Sequence, residues 1–280
     1  GEADLVKTLQ QLPGVAVGTE GMTGLYVRGG GADENLYLLD GNPVYHVNHL
    51  LGFFSAFNPD AIKNTRFYKG SFPAEYGGRL SSVVDVRMND GNRQEYHGNI
   101  SVGLLSARAN LEGPIVKDRS SFNVSVRRTW LDLITGTALA IVNKNSDTKE
   151  SFGYHFFDIN AKVNHSFSER SRAYLSFYMG QDAFRQGSKE KHEDSDDMFL
   201  WRWGNLIGSA GWNYVFGQKL FGNLMVGYSR FRSHIRQEAK GYEIEGNRAE
   251  RQSIKRDSRY KSEMEDLSVR LSVDYSPSMN

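Results

Sequence analysis

The chain contains no cysteine, which excludes a disulfide framework and a thiolate-held metal and leaves the redox compartment open. It has no apolar run of about 18 residues, so no conventional transmembrane helix is encoded. That absence is silent on membrane β-barrels, whose strands carry weaker signals. Net charge is nearly missing as well: 34 Lys and Arg against 33 Asp and Glu leave +1, too little field to gather nucleic acid, and no nucleic-acid partner is expected. Catalytic signatures are also wanting. Arg28-Gly29-Gly30-Gly31 is not followed by the Gly-Lys-Ser/Thr of a phosphate loop, and neither a Ser/His/Asp set nor a carboxylate pair has a recognisable local spacing. The expectation is a protein that is not an enzyme and needs no cofactor or resident metal.

Proline is scarce at 6, whereas 29 Gly, 14 Tyr and 16 Phe are what many extended segments joined by tight turns require. An all-β class leads. The first 92 residues read as a small α+β unit. Asp4 is placed to cap a short helix with Leu5, Leu9 and Leu12 on one face, ended by Pro13-Gly14. Short strands follow at Leu25-Tyr26-Val27-Arg28 and Leu36-Tyr37-Leu38-Leu39, flanked by Gly29-Gly30-Gly31 and by Asp40-Gly41, both turn signals. Pro59 opens a second helical stretch, Phe67-Tyr68 a strand, and Val84, Val86 and Met88 alternate with Asp85 and Arg87 in a last one.

From about Tyr96 the period is two almost everywhere. Phe157, Ile159, Ala161 and Val163 alternate with Asp158, Asn160, Lys162 and Asn164, and the pattern recurs around 122–126, 173–177, 206–216, 220–228 and 267–275. With an irregular segment over 100–111 this gives seven strands, several near the roughly ten residues that cross a bilayer at a tilt. Tight turns at Ser168-Glu169-Arg170 and Gly217-Gln218 alternate with long, charged connections over 135–154, 181–198 and 236–263, the rhythm of an outer-membrane barrel. The apolar stretch 131–142 reads as a strand running into a loop. Trp201, Trp203, Trp212 and Tyr214 suit an interfacial girdle. The acidic run Glu193-Asp194-Ser195-Asp196-Asp197 lacks calcium-loop spacing and reads as a solvated face. A globular unit ahead of barrel strands is the order of a plugged barrel of about 22 strands. Seven strands cannot close around it, so the chain reads as a piece of a longer natural protein extending past Asn280.

Leu12-Pro13-Gly14-Val15, Tyr26-Val27-Arg28-Gly29-Gly30, Leu39-Asp40-Gly41-Asn42-Pro43-Val44-Tyr45, Asn58-Pro59-Asp60-Ala61-Ile62-Lys63, and Tyr68-Lys69-Gly70 with Ala74-Glu75-Tyr76-Gly77-Gly78-Arg79 resemble, in order, the plug motifs of TonB-dependent outer-membrane receptors. The wording is similar to versions common in Bacteroidetes-type bacteria, without the pattern of starch-utilisation-type glycan receptors. The resemblance implies a plug (1–92), the first part of an antiparallel transmembrane barrel (93–280), and location in the bacterial outer membrane. It implies active uptake of an external nutrient, such as a ferric chelate, a cofactor or an oligomer. The partners implied are TonB with its inner-membrane energising complex, outer-membrane lipid and, less directly, a surface lipoprotein. Two alternatives stay open: a soluble β-rich binding or adhesion module, and a receptor that signals through an upstream domain.

By the same resemblance, outward plug loops contact ligand, which points to Arg28, Asn35, Tyr45, His46, His49, Phe53 and Phe54. Arg28 could meet an anionic ligand or form an internal ion pair. His46 and His49, three apart, could share a metal only on one helical face, and otherwise belong to a polar loop. Asp40, Gly41, Glu75, Tyr76, Gly77, Gly78 and Arg79 are expected to hold or gate the plug, with turn chemistry at the glycines and a bridge to the barrel from Glu75 and Arg79.

Overall fold

The computed structural model describes residues 4–18, 23–190, 195–244 and 251–277. Helix α1 (Leu5–Gln10) starts where Asp4 Oδ1 accepts from the Lys7 amide at 3.1 Å. It buries Val6 and Leu9, whereas Leu12 stays exposed. Two-residue strands β1 (Val15–Ala16) and β2 (Tyr26–Val27) pair. Then β3 (Asn35–Leu39) turns into β4 (Asn42–Pro43) through Asp40 and Gly41, at φ 45° and 86°. Both angles lie in the left-handed region that Asp tolerates and Gly favours, the requirement of a tight hairpin. A second small hairpin joins β5 (Asn48–His49) to β6 (Phe54–Ser55). Strands β7 (Ile62–Tyr68) and β8 (Ser82–Met88) complete a four-stranded sheet of order β4-β3-β8-β7, in which β3 and β8 run parallel. β8 is central and covered on both faces. Even Asp85 is buried, and it is held by the Tyr76 hydroxyl at 3.2 Å and the Arg87 guanidinium at 3.1 Å.

The remaining strands form one antiparallel sheet in strict sequence order: β9 (His97–Val102), β10 (Ser106–Val116), β11 (Ser120–Thr129), β12 (Thr148–Ser168), β13 (Ser171–Glu190), β14 (Asp196–Gly217), β15 (Leu220–Ile244) and β16 (Arg251–Tyr275). Eight strands, not seven, are present among the described residues. The irregular 100–111 segment is two strands folded back by the bond from the Gly103 amide to the Ser106 carbonyl at 2.8 Å. Residues 131–142, expected as strand and loop, form helix α2 (Leu131–Val142). Its twelve residues carry no Pro, one Gly and no strict alternation, and Leu131, Leu133, Ala138, Leu139 and Ala140 are good helix formers set against five β-branched residues. The charged stretches expected as long loops are mostly strand instead. β13 to β16 are 20 to 25 residues long, which doubles the span a bilayer needs, and polar cross-strand pairs continue the ladder. Lys191, His192, Glu193 and Asp194 lie outside the described residues; Asp196 and Asp197 begin β14.

The sheet is inside out relative to a soluble protein. Its polar face (Asn123, Ser125, Asp158, Asn160, Lys162, Asn164) is buried against the N-terminal unit, while Leu175, Phe177, Val226, Leu267, Val269 and Leu271 are exposed on the other. The outward apolar run of β14, residues 206–216, has the length of one tilted crossing. Trp212 and Tyr214 lie in that outer band near the short-turn end, 5.7 Å apart. Trp201 and Trp203 face inward, so only half of the expected girdle sits on the outer surface. The core of the N-terminal unit (Val6, Leu25, Val27, Tyr37, Leu39, Val84, Val86) continues into the wall through Tyr178 and Ile207.

Candidate functional site

Residues 42–60 carry most of the hydrogen bonds and ion pairs between the unit and the sheet, beside apolar contacts of Phe54, Tyr178 and Ile207. Asn42 donates to Ser209 and accepts from Ser268 at 3.1 Å. Ser229 donates to the Pro43 carbonyl at 2.6 Å, and Asn205 to that of His46 at 2.7 Å. Asn58 donates to Ser125 at 2.8 Å. A Cβ on Gly227 would collide with the Asn42 carboxamide, so glycine there lets β4 approach the wall. Lower down, Lys162 reaches Asp40 at 3.2 Å, Asp90 at 3.2 Å and the Met88 carbonyl at 3.1 Å. Burial works against the Asp90 carboxylate, but Lys162, Lys63 and Arg172 outweigh it and hold its pKa well below the usual range.

At the opposite end, His49 is buried between two carboxylates. Its Nδ1 lies 2.6 Å from Asp182 and its Nε2 3.4 Å from Asp158, with the ring stacked on Phe156 at 4.2 Å. Asp158 also takes two bonds from Arg127, at 2.9 and 2.6 Å, and Arg127 donates on to the Ser55 carbonyl at 2.8 Å. Asp182 accepts from the Tyr154 hydroxyl, which in turn accepts from the Leu50 amide. Burial disfavours an imidazolium, yet the Asp182 and Asp158 charges prevail and raise the His49 pKa. His46 goes the other way, lowered chiefly by burial. Its ring packs edge-on to Trp203 at 6.0 Å and beside Phe231 at 5.9 Å. Above it, Trp201 and Trp203 lie 4.1 Å apart, and Phe184 touches Phe152 and Phe199 at 5.5 and 6.0 Å. Together they make an inward-facing aromatic shelf at the end away from the short turns. Such a shelf offers flat apolar area and ring faces to a ligand held over the loop.

The expected site residues divide accordingly. His46, His49 and Phe54 meet the wall, Phe54 against Phe156 at 5.6 Å. His46 and His49 lie on no common helix, and their rings serve different partners. Phe53 is about half exposed, and Tyr45 is partly exposed beside His46. Asn35 is buried inside the unit, donating to the Leu25 carbonyl at 2.8 Å and accepting from Ser82 at 2.6 Å, which leaves it no face for a ligand. Arg28 is exposed at φ 49° with its guanidinium packed over Gly70, and no ion pair holds it among the described residues. Asp40 and Gly41 shape the β3–β4 turn, and Asp40 is in addition an anchor. Tyr76 is core, its hydroxyl on Asp85 and its pKa raised by burial first and Asp85 second. Gly77 and Gly78 are open turn positions. Arg79 donates to the Gly78 carbonyl at 2.7 Å, and neither it nor Glu75 forms an ion pair with the eight strands among the described residues. The ion pairs from the unit to these eight strands are made by Asp40, His49, Asp60 and Asp90 among the described residues. The wall partners Arg127, Asp158, Lys162 and Asp182 escape a reading as site residues, and Trp203 is read from the sequence as a girdle residue. Their signal was a charge or a large ring on the wet face of a crossing strand, which a filled lumen must cover.

Residues 1–84 match the family described as TonB-dependent Receptor Plug Domain. No curated protein sequence matches the chain. Among solved structures, the ferric citrate transporter FecA in the unliganded form aligns at TM-score 0.53 and 9% identity, covering 99% of this chain and 52% of its own. The siderophore receptor PirA from Acinetobacter baumannii aligns at TM-score 0.47 and 15% identity over 98% of this chain and 52% of its own. The outer membrane transporter YddB from Escherichia coli aligns at 0.48 and 10% over 98% and 52%. The chain spans about half the length of the solved structures it resembles.

Proposed function

We propose, from a chain whose residues 1–84 match the plug domain of TonB-dependent receptors, that the whole protein is such a receptor of the bacterial outer membrane and takes up an external nutrient with energy delivered by TonB. The observation that carries this reading is a plug seated mainly by hydrogen bonds and ion pairs, with a few apolar contacts at Tyr178, Ile207 and Phe156, on the wet inner face of a wall whose outer face is apolar. A plug held by apolar burial would expose that surface each time it moved, at roughly 25 cal/mol per Å². Polar anchors exchange for water at a smaller net difference, near 1 kcal/mol per hydrogen bond, so a pull can shift the plug without unfolding it. A soluble module does not fit, because Leu267, Val269 and Leu271 would face water.

The ligand enters from the side of the aromatic shelf. His46 and Leu50 form its floor, with Tyr45 and Phe53 beside them in the chain, Trp201, Trp203 and Phe231 its wall, and Arg28 sits apart as a cation with no ion pair among the described residues. Neutral, aromatic-lined and only locally charged, the shelf suits a flat or ring-bearing cargo such as a chelate with aromatic arms. Ferric citrate, the cargo of the FecA relative, is one probe in a panel of iron-55 chelates and a labelled corrinoid. Uptake of at least one should require both this protein and TonB in cells. Protein-dependent accumulation that persists without TonB, or none from the whole panel, would sink the reading.

A further inference from the structure

We propose a second binding site, on the lipid side of the wall, for the phosphorylated headgroup of a lipid in the outer leaflet. The register of β14, β15 and β16 brings Arg202 opposite His234 and His234 opposite Lys261, with Arg232 and Arg230 one and two rungs nearer the apolar band. All five side chains share the outward face with Leu206, because directly paired residues of an antiparallel sheet point the same way. Arg202, Arg230, Arg232 and His234 ring a recess of about 350 Å³ whose lower side is Leu206 and Met179 and whose floor includes Gly204. A Cβ on Gly204 would strike the Gly180 carbonyl oxygen, so the floor stays open.

The charges are only partly spent. Arg232 and Lys261 both pair with Glu263, and Glu265, opposite Arg230, accepts from the Tyr228 hydroxyl at 3.1 Å. Arg202, Arg230 and His234 have no ion-pair partner among the described residues. One step below them the surface turns apolar with Leu206, Tyr228 and Leu267. A basic recess seated on the rim of a lipid-facing band lies at headgroup depth, where guanidinium forks bind phosphate bidentately. The acyl chains of the same lipid would lie along Phe177, Leu175, Val226 and Val269. That continuity of anion site and apolar face selects a lipid over a free anion.

The site rests on the outer-membrane reading, and its test separates the two. The complete protein, purified in detergent, is mixed with an acylated disaccharide bisphosphate or with its dephosphorylated form, and retained lipid is counted by native mass spectrometry. Wild type should retain the phosphorylated lipid about tenfold better than the dephosphorylated one, the scale of one charge-assisted bond. The double variant R202Q/R230Q should lose that preference, R202K/R230K should keep much of it, and R170Q at the short-turn end should change nothing. Equal retention by wild type and the glutamine variant overturns the site. So does displacement of the lipid by millimolar inorganic phosphate, which would mark a free-anion site. A protein whose gel mobility does not shift on heating would instead remove the barrel itself.

Discussion

His49 is a plug residue whose charge depends on two carboxylates of the wall. Because its pKa is raised on folding, its stabilising charge is fully present below about pH 6.5, the ordinary histidine value, and is lost as pH climbs through the raised one. The melting temperature of the detergent-solubilised protein should therefore fall as pH rises above about 6.5. His49→Gln should flatten that dependence and cost roughly 3 kcal/mol at low pH, as expected when one member of a buried charge set is removed. A pH slope unchanged by the substitution would assign the titration to another group. The residue scale is also where the sequence is least legible. His49 could be named as a loop polar group, but Asp182 lies 133 positions away, and no local spacing ties them. Asn35 misled for the opposite reason: beside a glycine loop it resembles a ligand contact, yet its amide closes bonds within the plug.

Elements were more legible than residues. The two-residue period located the strands and their wet face, because a wall between lipid and a filled lumen must alternate at every step. It missed where strands end, since beyond the membrane a hairpin needs only cross-strand pairs and keeps going through charged sequence. It also missed α2, an apolar segment with no alternation to read. The turn between β3 and β4 was legible from Asp40-Gly41, whereas the space it enters was not. Gly227 in β15 leaves room for Asn42 of β4, so Gly227→Val should push the turn off the wall, at about 1–3 kcal/mol for overpacking. The seated plug would loosen without loss of the sheet. In planar bilayers the variant should show more frequent open-channel events than wild type. Equal conductance with an equal melting temperature would show that β4 yields without strain.

At the scale of the whole molecule, stability turns on the edges of the sheet. The described sheet has β9 at one side and β16 at the other, each paired on a single side. In hydrocarbon an unpaired backbone group costs several kcal/mol, so a lipid-facing sheet is stable only when both edges are closed. Closure around a plug of this size takes about 22 strands, and with every amide bonded around the ring such a wall resists detergent until heated. Protein extracted from its native membrane should therefore run faster on a gel unheated than boiled. Under the same conditions the isolated stretch 1–280, with both edges free, should show no such shift and should aggregate through β16, whose Leu267, Val269, Leu271 and Val273 present an exposed apolar row. If that stretch alone shifted on heating, eight strands would suffice to close, the plug would have to leave the lumen, and its seat on Asp158, Lys162 and Asp182 would be lost with it.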